Sequence, residues 1–398
     1  MTKNIIPHSL IRIEYNENRI SIQCLLIALY LSLGPFSLVP IFAGISALKL
    51  ITIPIAAYCI AALFIGNVRI DLNSVHLFFT LYILYTAAGA LLLLNNEAWR
   101  SIRGYLELYV ITMIFTIRVY TKKEQRIFEN AMLISGVITV LFSIFSTQEM
   151  VEGRSTMSFF GAYCDPNELC GMIIVPLMVV LDRIIKEEKK FGYVVIAASM
   201  LYVTIATGSR GGLAAVVAAA FAFAVIATNG VRSKMVAIVG FALLVFVGVF
   251  VVFPLMPADL QERFSLARIM EDQGSGRFQI WGTLFASATK DQSYVIWGQG
   301  ISSSANALLE AGFSNTVAHN HFLQVFHDQG LVGVILFLLM ELSAILRCIR
   351  RRRFLSTAMI GMIALSLSLT FDPSVKVFWN TIMICAFCFG SDKEEKDE

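Results

Sequence analysis

Three arginines stand in unusual settings and are the side chains best suited to bind an anion. Arg210 lies in ATGSRGGL, a turn-like stretch between two long apolar runs, while Arg154 and Arg277 each follow a glycine in GRST and GSGRFQIW. Arginine stays protonated and presents a planar fork that fits phosphate or carboxylate. The alternative is snorkelling or pairing with loop acids, which we favour for Arg263 and Arg268 on an acid-rich helix. For Arg210 and Arg277 we favour function, because several arginines converging on one cavity could hold a diphosphate.

Histidines cluster in the stretch AHNHFLQVFHDQGLVG, which carries three of the five histidines of the chain. On a helix, His321, Gln324 and Asp328 would share one face, and Asn320 and His327 another. A neutral histidine could take the proton from an attacking hydroxyl. Plain hydrogen bonding at the membrane surface is the alternative for any single histidine. A metal site is disfavoured, because the spacing suits one metal poorly and the H-E-x-x-H pattern is absent.

The tetrapeptide DPNE predicts the start of a helix. Asp165 is a natural N-cap, Pro166 fits the first turn, and Glu168 falls at the third position of a capping box. Capping therefore explains most of this pattern. A functional role is expected in addition to capping, because Asp165 and Asn167 would lie at the mouth of a site on the outer side of the membrane.

The composition predicts the elements that must position these residues. Of 398 residues, 57% are hydrophobic and only 15% are charged, whereas a soluble domain carries about 25% charged residues. The apolar runs are long enough to cross a hydrocarbon core of roughly 30 Å. We therefore expect an all-α polytopic membrane protein forming a single integral membrane domain over residues 1–398. About twelve spans are predicted near 21–46, 50–66, 74–95, 104–119, 127–146, 166–182, 191–207, 211–228, 235–253, 320–346, 354–371 and 375–390.

Basic residues predict the orientation of the chain in the membrane. With the N-terminus in the cytoplasm, the inner segments hold 21 of the 31 Lys and Arg residues, as the positive-inside rule requires. Both termini are then cytoplasmic, and residues 254–318 form a long outer loop. Two stretches of that loop, PADLQERFSLARIMED and SGRFQIWGTLFASAT, have the apolar spacing of amphipathic helices. Gly208 to Gly212 become an outer turn, which places Arg210 at the membrane surface. Pro35 and Pro40 are expected to kink or break the first span.

Several function classes are disfavoured. A net charge of +3 is too small to indicate a nucleic-acid partner. No P-loop, GxSxG or dinucleotide fingerprint occurs in a suitable context, so no cofactor is expected. Cys385 and Cys388 form a CxxC inside an apolar run, where packing is the preferred interpretation over redox or metal chemistry.

Four stretches in this order resemble the bacterial O-antigen ligase and O-antigen polymerase superfamily. They are GAYCDPNELCG, TGSRGGLAA, SGRFQIWGTLF…SYVIWGQG and AHNHFLQVFHDQGLVGVILF, and they span about 161–337. The resemblance implies a fold like that of the C-type membrane glycosyltransferases. It also implies transfer of a glycan from undecaprenyl diphosphate to an acceptor hydroxyl, with inversion and without metal or nucleotide sugar, at the outer face of the bacterial inner membrane.

The resemblance also assigns roles to particular residues. The family's arginines map onto Arg210 and Arg277, and its histidine–asparagine pair maps onto His319 and Asn320. Asp328 stands where relatives often carry glutamate. The expected catalytic residues are thus His319, Arg210 and Arg277. The expected substrate-binding residues are Arg154, Asp165, Asn167, Asn320, His321 and Asp328.

The implied partners leave three functions open. All involve the lipid bilayer, and the two enzymatic ones use a lipid-linked glycan and an acceptor glycan or glycolipid. The leading hypothesis is a polymerase that joins repeat units of a surface polysaccharide, for which a chain-length regulator is a candidate partner. The close alternative is a ligase that moves the finished glycan to lipid A core or another acceptor. A transporter is disfavoured. It would require ionisable groups at the midplane and paired inverted halves, whereas the charges here cluster on one side of the membrane and the long outer loop occurs in one half only.

Overall fold

A computed structural model describes most of residues 20–370. Residues 1–19 and 371–398 lie outside it, and so does the twelfth predicted span with Cys385 and Cys388. Within 20–370 the structure leaves out residues 39, 43–44, 66–69, 71, 94–95, 152–153, 160–161, 187–189, 227, 273, 275, 315 and 350–352.

The described chain is built almost entirely of α-helices. They are α1 (Ile22–Ser32), α2 (Ala47–Ile65), α3 (Ser74–Leu93), α4 (Asn96–Thr116), α5 (Lys122–Phe145), α6 (Pro166–Lys186), α7 (Phe191–Ala206), α8 (Arg210–Ile226), α9 (Val231–Val247), α10 (Ala258–Phe264), α11 (Leu266–Glu271), α12 (Arg277–Ala288), α13 (Gln292–Trp297), α14 (Ser303–Glu310), α15 (His321–Ile349) and α16 (Arg353–Ser366).

The architecture confirms an all-α polytopic membrane protein. In the described chain, five helices are long and apolar enough to cross a membrane: Ala47–Phe64, Ser74–Leu91, Lys122–Phe145, Val231–Leu255 and His321–Ile349. Shorter apolar helices are Ile22–Ser32, Phe191–Ala206, Arg210–Ile226 and Arg353–Ser366. The ten spans predicted between residues 50 and 371 each fall on one helix, whereas only the first part of the span predicted at 21–46 is α-helical. The first is broken as expected, since α1 ends at Ser32 and a 3₁₀ helix follows at Gly34–Leu38.

The core lies between the long helices. Helix α15 packs against α3 and α16, and α16 packs against α8 and α6. Large apolar side chains from these elements are fully buried, including Phe79, Phe337 and Phe354. Gly361 on α16 lets that helix approach α8 closely, because an added Cβ would meet Ala219 Cβ at 2.7 Å. Helix α9 differs: none of its residues is buried, and it packs against α8.

Two small antiparallel sheets occur that the periodicity of the sequence did not predict. Strands β1 (Pro40–Phe42) and β2 (Ile45–Ser46) form the first. Strands β3 (Thr147–Val151), β4 (Arg154–Phe159) and β5 (Ala162–Cys164) form the second, in the order β3-β4-β5. The second sheet leads directly into α6.

The predicted outer loop contains more helices than expected. The stretch PADLQERFSLARIMED forms two short helices, α10 and α11, instead of one. The break occurs at Ser265, which has an extended backbone and accepts a hydrogen bond from Arg268 N–H at 3.2 Å as the N-cap of α11. The second predicted helix corresponds to α12, and α13 and α14 follow it.

The loop is fastened to α15 at a break in that helix. Gly330 has φ of +65°, so α15 bends there. The main chain after α13 lies against this bend, where Gln299 N–H donates to His327 O at 3.0 Å and Gly300 N–H donates to Asp328 O at 2.8 Å. A Cβ on Gly298 would lie 2.4 Å from Asp328 O, so only glycine allows this approach.

Candidate active site

The turn that precedes α8 fixes the position of Arg210. Gly208 has φ of +61°, which glycine adopts without steric cost. Ser209 caps the helix: its hydroxyl accepts from Gly212 N–H at 2.9 Å and donates to Asn167 Oδ1 at 2.6 Å. Arg210 is therefore the first residue of α8, anchored through Ser209 to the start of α6.

The other two glycines of the turn serve helix packing. A Cβ on Gly211 would lie 2.0 Å from Ser368 Oγ, and one on Gly212 would lie 2.3 Å from Cys170 Sγ. The three glycines of the turn therefore have different roles. Gly208 makes the turn, while Gly211 and Gly212 let α8 pack against its neighbours.

The guanidinium of Arg210 is held on two sides by the protein. Its Nε–H donates to the carbonyl oxygen of Arg263 at 2.8 Å. Its Nη1 donates to both carboxylate oxygens of Asp272 at 3.1 and 3.0 Å. Its Nη2 is buried, and no described protein atom accepts its hydrogens. Two donors of a fixed cation are therefore left for a ligand.

Arg263 lies at the centre of this arrangement, although the sequence favoured a surface role for it. Its Nε–H donates to Gly208 O at 2.7 Å, while its own carbonyl accepts from Arg210. The two arginines thus fasten the end of α10 to the turn before α8 by reciprocal side-chain to main-chain hydrogen bonds. Arg268 behaves as expected: it is half exposed and pairs with Glu271 at 2.9 Å, and this neighbour raises the pKa of its guanidinium.

The arginines line one cavity, which we call the arginine cavity. It has a volume of about 140 Å³ and is bounded by Arg210, Arg263 and Arg277 together with Asn167, Phe278 and Trp281. Cationic donors thus meet aromatic surfaces in one small space. The convergence of Arg210 and Arg277 predicted from the sequence is present, and Arg263 is an addition.

Arg277 reaches the cavity from the start of α12. Gly276 precedes it with φ of +75°, a left-handed conformation that turns the chain into the helix. Gly276 N–H donates to Asp272 O at 2.8 Å, so this turn also depends on the residue that pairs with Arg210.

His319 is connected to the cavity through Trp281. The indole Nε1–H of Trp281 donates to Ala318 O at 2.9 Å, immediately before His319. His319 has φ of +50°, a conformation that costs a non-glycine residue of the order of 1 kcal/mol or more. Asn320 caps α15 by accepting from Leu323 N–H at 3.1 Å. Asn320 therefore has a structural role, and His319 lies at a fixed, strained corner beside α12.

His327 and Asp328 form a buried network away from the cavity lining. The Asp328 carboxylate accepts from the N–H groups of Ser302 and Ser304 at 3.0 and 2.8 Å, at the start of α14. His327 Nδ1 lies 3.1 Å from Asp328 Oδ1, and its Nε2 lies 3.1 Å from Ser287 Oγ. These contacts tie α14 and α12 to α15, which accounts for Asp328 as a structural residue.

The remaining predicted site residues have separate positions. Asp165 caps α6 by accepting from Asn167 N–H at 2.7 Å, and only Asn167 of the two lines the cavity. His321 is buried with its ring 5.0 Å from that of Phe337. Arg154 is the first residue of β4, opposite Val151, and its substrate-binding role stays a prediction. Among the described residues, no group of three or more His, Cys, Asp or Glu is arranged to hold a metal ion.

Comparison with known families bears on this same part of the chain. Residues 195–338 match the O-antigen ligase family. The matched region runs from α7 to the first half of α15 and includes the three cavity arginines and His319. It supports the O-antigen ligase and polymerase superfamily for this chain, and with it a function of that type in polysaccharide biosynthesis. No curated protein matches the chain.

O-antigen ligase family members are membrane glycosyltransferase-like enzymes, and lipid-linked glycans and a membrane are implied as partners. Asp165 and Arg154 lie before the matched region, as does Asn167. The cavity therefore combines residues of the O-antigen ligase region with the start of α6.

Proposed function

We propose that this protein is a glycosyltransferase that takes a glycan from undecaprenyl diphosphate and transfers it to an acceptor sugar hydroxyl, extending a surface polysaccharide. The reaction takes place at the outer face of the bacterial inner membrane. The observation that carries the proposal is the arginine cavity, in which Arg210, Arg263 and Arg277 meet within the region that matches the O-antigen ligase family.

The positive charge of the cavity suits the diphosphate of the lipid-linked glycan. A diphosphate esterified at both ends carries two negative charges. Three arginines line the cavity, and one of them, Arg210, pairs with Asp272 at 3.0 Å. When the glycosidic bond breaks, further negative charge develops on the departing diphosphate. Fixed cationic donors stabilise that charge without reorganisation during the reaction.

The bond changes follow from this arrangement. The acceptor hydroxyl oxygen attacks the anomeric carbon as the bond from that carbon to the phosphate oxygen breaks, with inversion. The phosphate oxygen keeps the electron pair of the broken bond, and the hydroxyl proton passes to His319. The support for His319 is its position after Ala318, whose carbonyl is bound by the cavity residue Trp281. A general base of this kind contributes roughly 10²–10⁴-fold.

Arg210 can engage the diphosphate in a way that differs from a free arginine. Its Nε and Nη1 are already bound by Arg263 O and Asp272, so the two hydrogens of Nη2 are the donors left for a phosphate oxygen. The protein uses the rest of the fork to hold the group still. Pre-organisation of this sort reduces the entropy lost on binding.

The direct test is transfer by purified protein in liposomes that contain lipid-linked glycan from the native host. Arg210→Ala and Arg277→Ala are compared with Arg268→Ala, a matched arginine that pairs with Glu271 and does not line the cavity. Loss of transfer in the first two with normal transfer in the third supports the proposal. Equal activity in all three would refute the role of the cavity.

Polymerase and ligase activities are separated by the glycans of a deletion strain. Because a polymerase joins repeat units, its loss should leave single repeats on the lipid core. A ligase acts on the finished chain, so its loss should leave polymer on the lipid carrier. We expect the first result, and accumulation of carrier-linked polymer would establish the ligase instead.

A further inference from the structure

A single acidic residue, Asp272, connects two of the cavity arginines. The sequence alone does not indicate this connection. Asp272 ends α11, and its side chain accepts from Arg210 Nη1 in an ion pair of 3.0 Å. Its carbonyl oxygen accepts from Gly276 N–H at 2.8 Å, directly before Arg277. Asp272 thus contacts Arg210 through its side chain and the turn before Arg277 through its main chain.

The ion pair is well shielded for a surface loop. The side chains of Arg210 and Asp272 are 19% and 21% exposed, so most of each is covered. The opposite edge of the Arg210 guanidinium is bound by Arg263 O at 2.8 Å. A planar group held on two of its three nitrogens cannot rotate, so the direction of Nη2 is fixed by these contacts.

The unsatisfied nitrogen indicates what this fixation is for. Arg210 Nη2 is buried, and no described protein atom accepts from it, while the residue lines the arginine cavity. Leaving a buried donor unpaired is costly, more so on a charged group. Such a group in a folded protein points to a ligand that completes it. An anion in the cavity would do so while Asp272 stays in place.

We propose that Asp272 is a positioning residue that orients Arg210 toward the substrate's diphosphate and sets its spacing from Arg277. This rests on the proposed function, because it concerns the same cavity. Asp272 does not touch the substrate. It also offsets one positive charge, which prevents the cavity from retaining the diphosphate product too tightly.

The experiment uses the full-length protein in liposomes and compares Asp272→Ala, Asp272→Asn and Asp272→Glu. The matched control is Glu271→Ala, which removes the adjacent acid; Glu271 is exposed and pairs with Arg268 instead. Turnover and the donor KM are measured with lipid-linked glycan from the host. Binding of undecaprenyl diphosphate is followed separately by competition, and the folded fraction by thermal melting.

We expect Asp272→Ala to lower kcat per folded molecule by about 10-fold to 10²-fold, because a small misplacement of a catalytic group has an effect of that size. Asp272→Asn should lower kcat with no rise in donor KM, since the guanidinium loosens while a repelling charge is removed. Asp272→Glu should restore part of kcat, because a carboxylate can again reach Arg210. Glu271→Ala should match the wild type.

Two results would overturn the inference. An unchanged kcat in folded Asp272→Ala would show that the ion pair serves folding alone. A higher kcat together with tighter binding of undecaprenyl diphosphate would show that Asp272 competes with the substrate. Arg210→Lys, measured in parallel, separates the two proposals. If it abolishes transfer while Asp272→Ala is normal, only the role of Asp272 fails; if both are normal, the proposed function of the cavity fails too.

Discussion

Replacing Arg210 by lysine should express a folded protein that has lost most of its transfer activity. An ammonium is a compact charge without the planar fork of arginine. It cannot donate to Arg263 O and Asp272 while also presenting two hydrogens to the cavity. If Arg210 only anchored α8 at the membrane surface, lysine would replace it, since both side chains snorkel.

The contacts of Arg210 give the size of each effect. Loss of the Nε–H hydrogen bond to Arg263 O should cost about 1 kcal/mol of folding free energy. The pair with Asp272 has only about a fifth of each side chain exposed, so losing it completely could add as much as about 3 kcal/mol. Removing a donor that stabilises charge in the transition state lowers the rate by about 10²–10³-fold. The rate must therefore be expressed per folded molecule, so that the loss of stability is excluded and the remaining drop reports on the chemistry.

The assay is glycan transfer by liposomes that contain equal amounts of folded Arg210→Lys, Arg268→Lys and wild-type protein. Arg268→Lys is the control, because Arg268 is half exposed and pairs with its neighbour Glu271. It should retain normal activity. Activity of Arg210→Lys within a few-fold of the wild type would refute the role of the fork, and equal losses in both variants would indicate a general effect of arginine replacement.

Three further predictions follow from the positions of individual residues. His319→Ala should lower turnover by roughly 10²–10⁴-fold with donor binding retained, whereas His327→Ala should mainly lower the melting temperature, since it removes the buried ring that contacts both Asp328 and Ser287; equal and mild losses of turnover per folded molecule would remove His319 as the base. Transfer should persist in excess EDTA, and loss that a divalent ion restores would contradict an arginine-based stabilisation of the leaving group. In a background lacking Cys385 and Cys388, an impermeant thiol reagent added to sealed cells should label Lys290→Cys and miss Ser233→Cys; the reverse pattern would invert the proposed topology.

Local features of the fold could be predicted because they depend on residues near each other in the sequence. The start of α6 at Pro166, with Asp165 as its cap, needs only a short polar stretch before an apolar run. The break after Ser32 follows from the two prolines. The turn at Gly208 follows from glycine between apolar helices. The small sheet of β3, β4 and β5 was missed, because its strands show no clear alternation of polar and apolar residues.

The candidate site was predicted only in part, for a physical reason. Arg210 is separated by 53 residues from Arg263 and by 62 from Asp272 along the chain. A periodic pattern on α10 identifies a helix with acidic neighbours, and this favoured a surface role for Arg263. Only the folded loop shows that its guanidinium binds Gly208 O. For Asp328, the motif did not indicate that its carboxylate binds the N–H groups of Ser302 and Ser304 at the start of α14, and its substrate-binding role stays a prediction.

Helix α9 links the bilayer to the arginine cavity. None of its side chains is buried by protein, so the hydrocarbon phase supplies its apolar environment. It continues as a π-helix at Gly248–Val252 and a 3₁₀ helix at Phe253–Leu255, and α10, which carries Arg263, begins shortly after at Ala258. A surfactant that solvates α9 poorly should therefore disturb α10 before it unfolds the core around Phe337. Transfer should then disappear while the helical circular dichroism signal persists, and return after reconstitution into lipid.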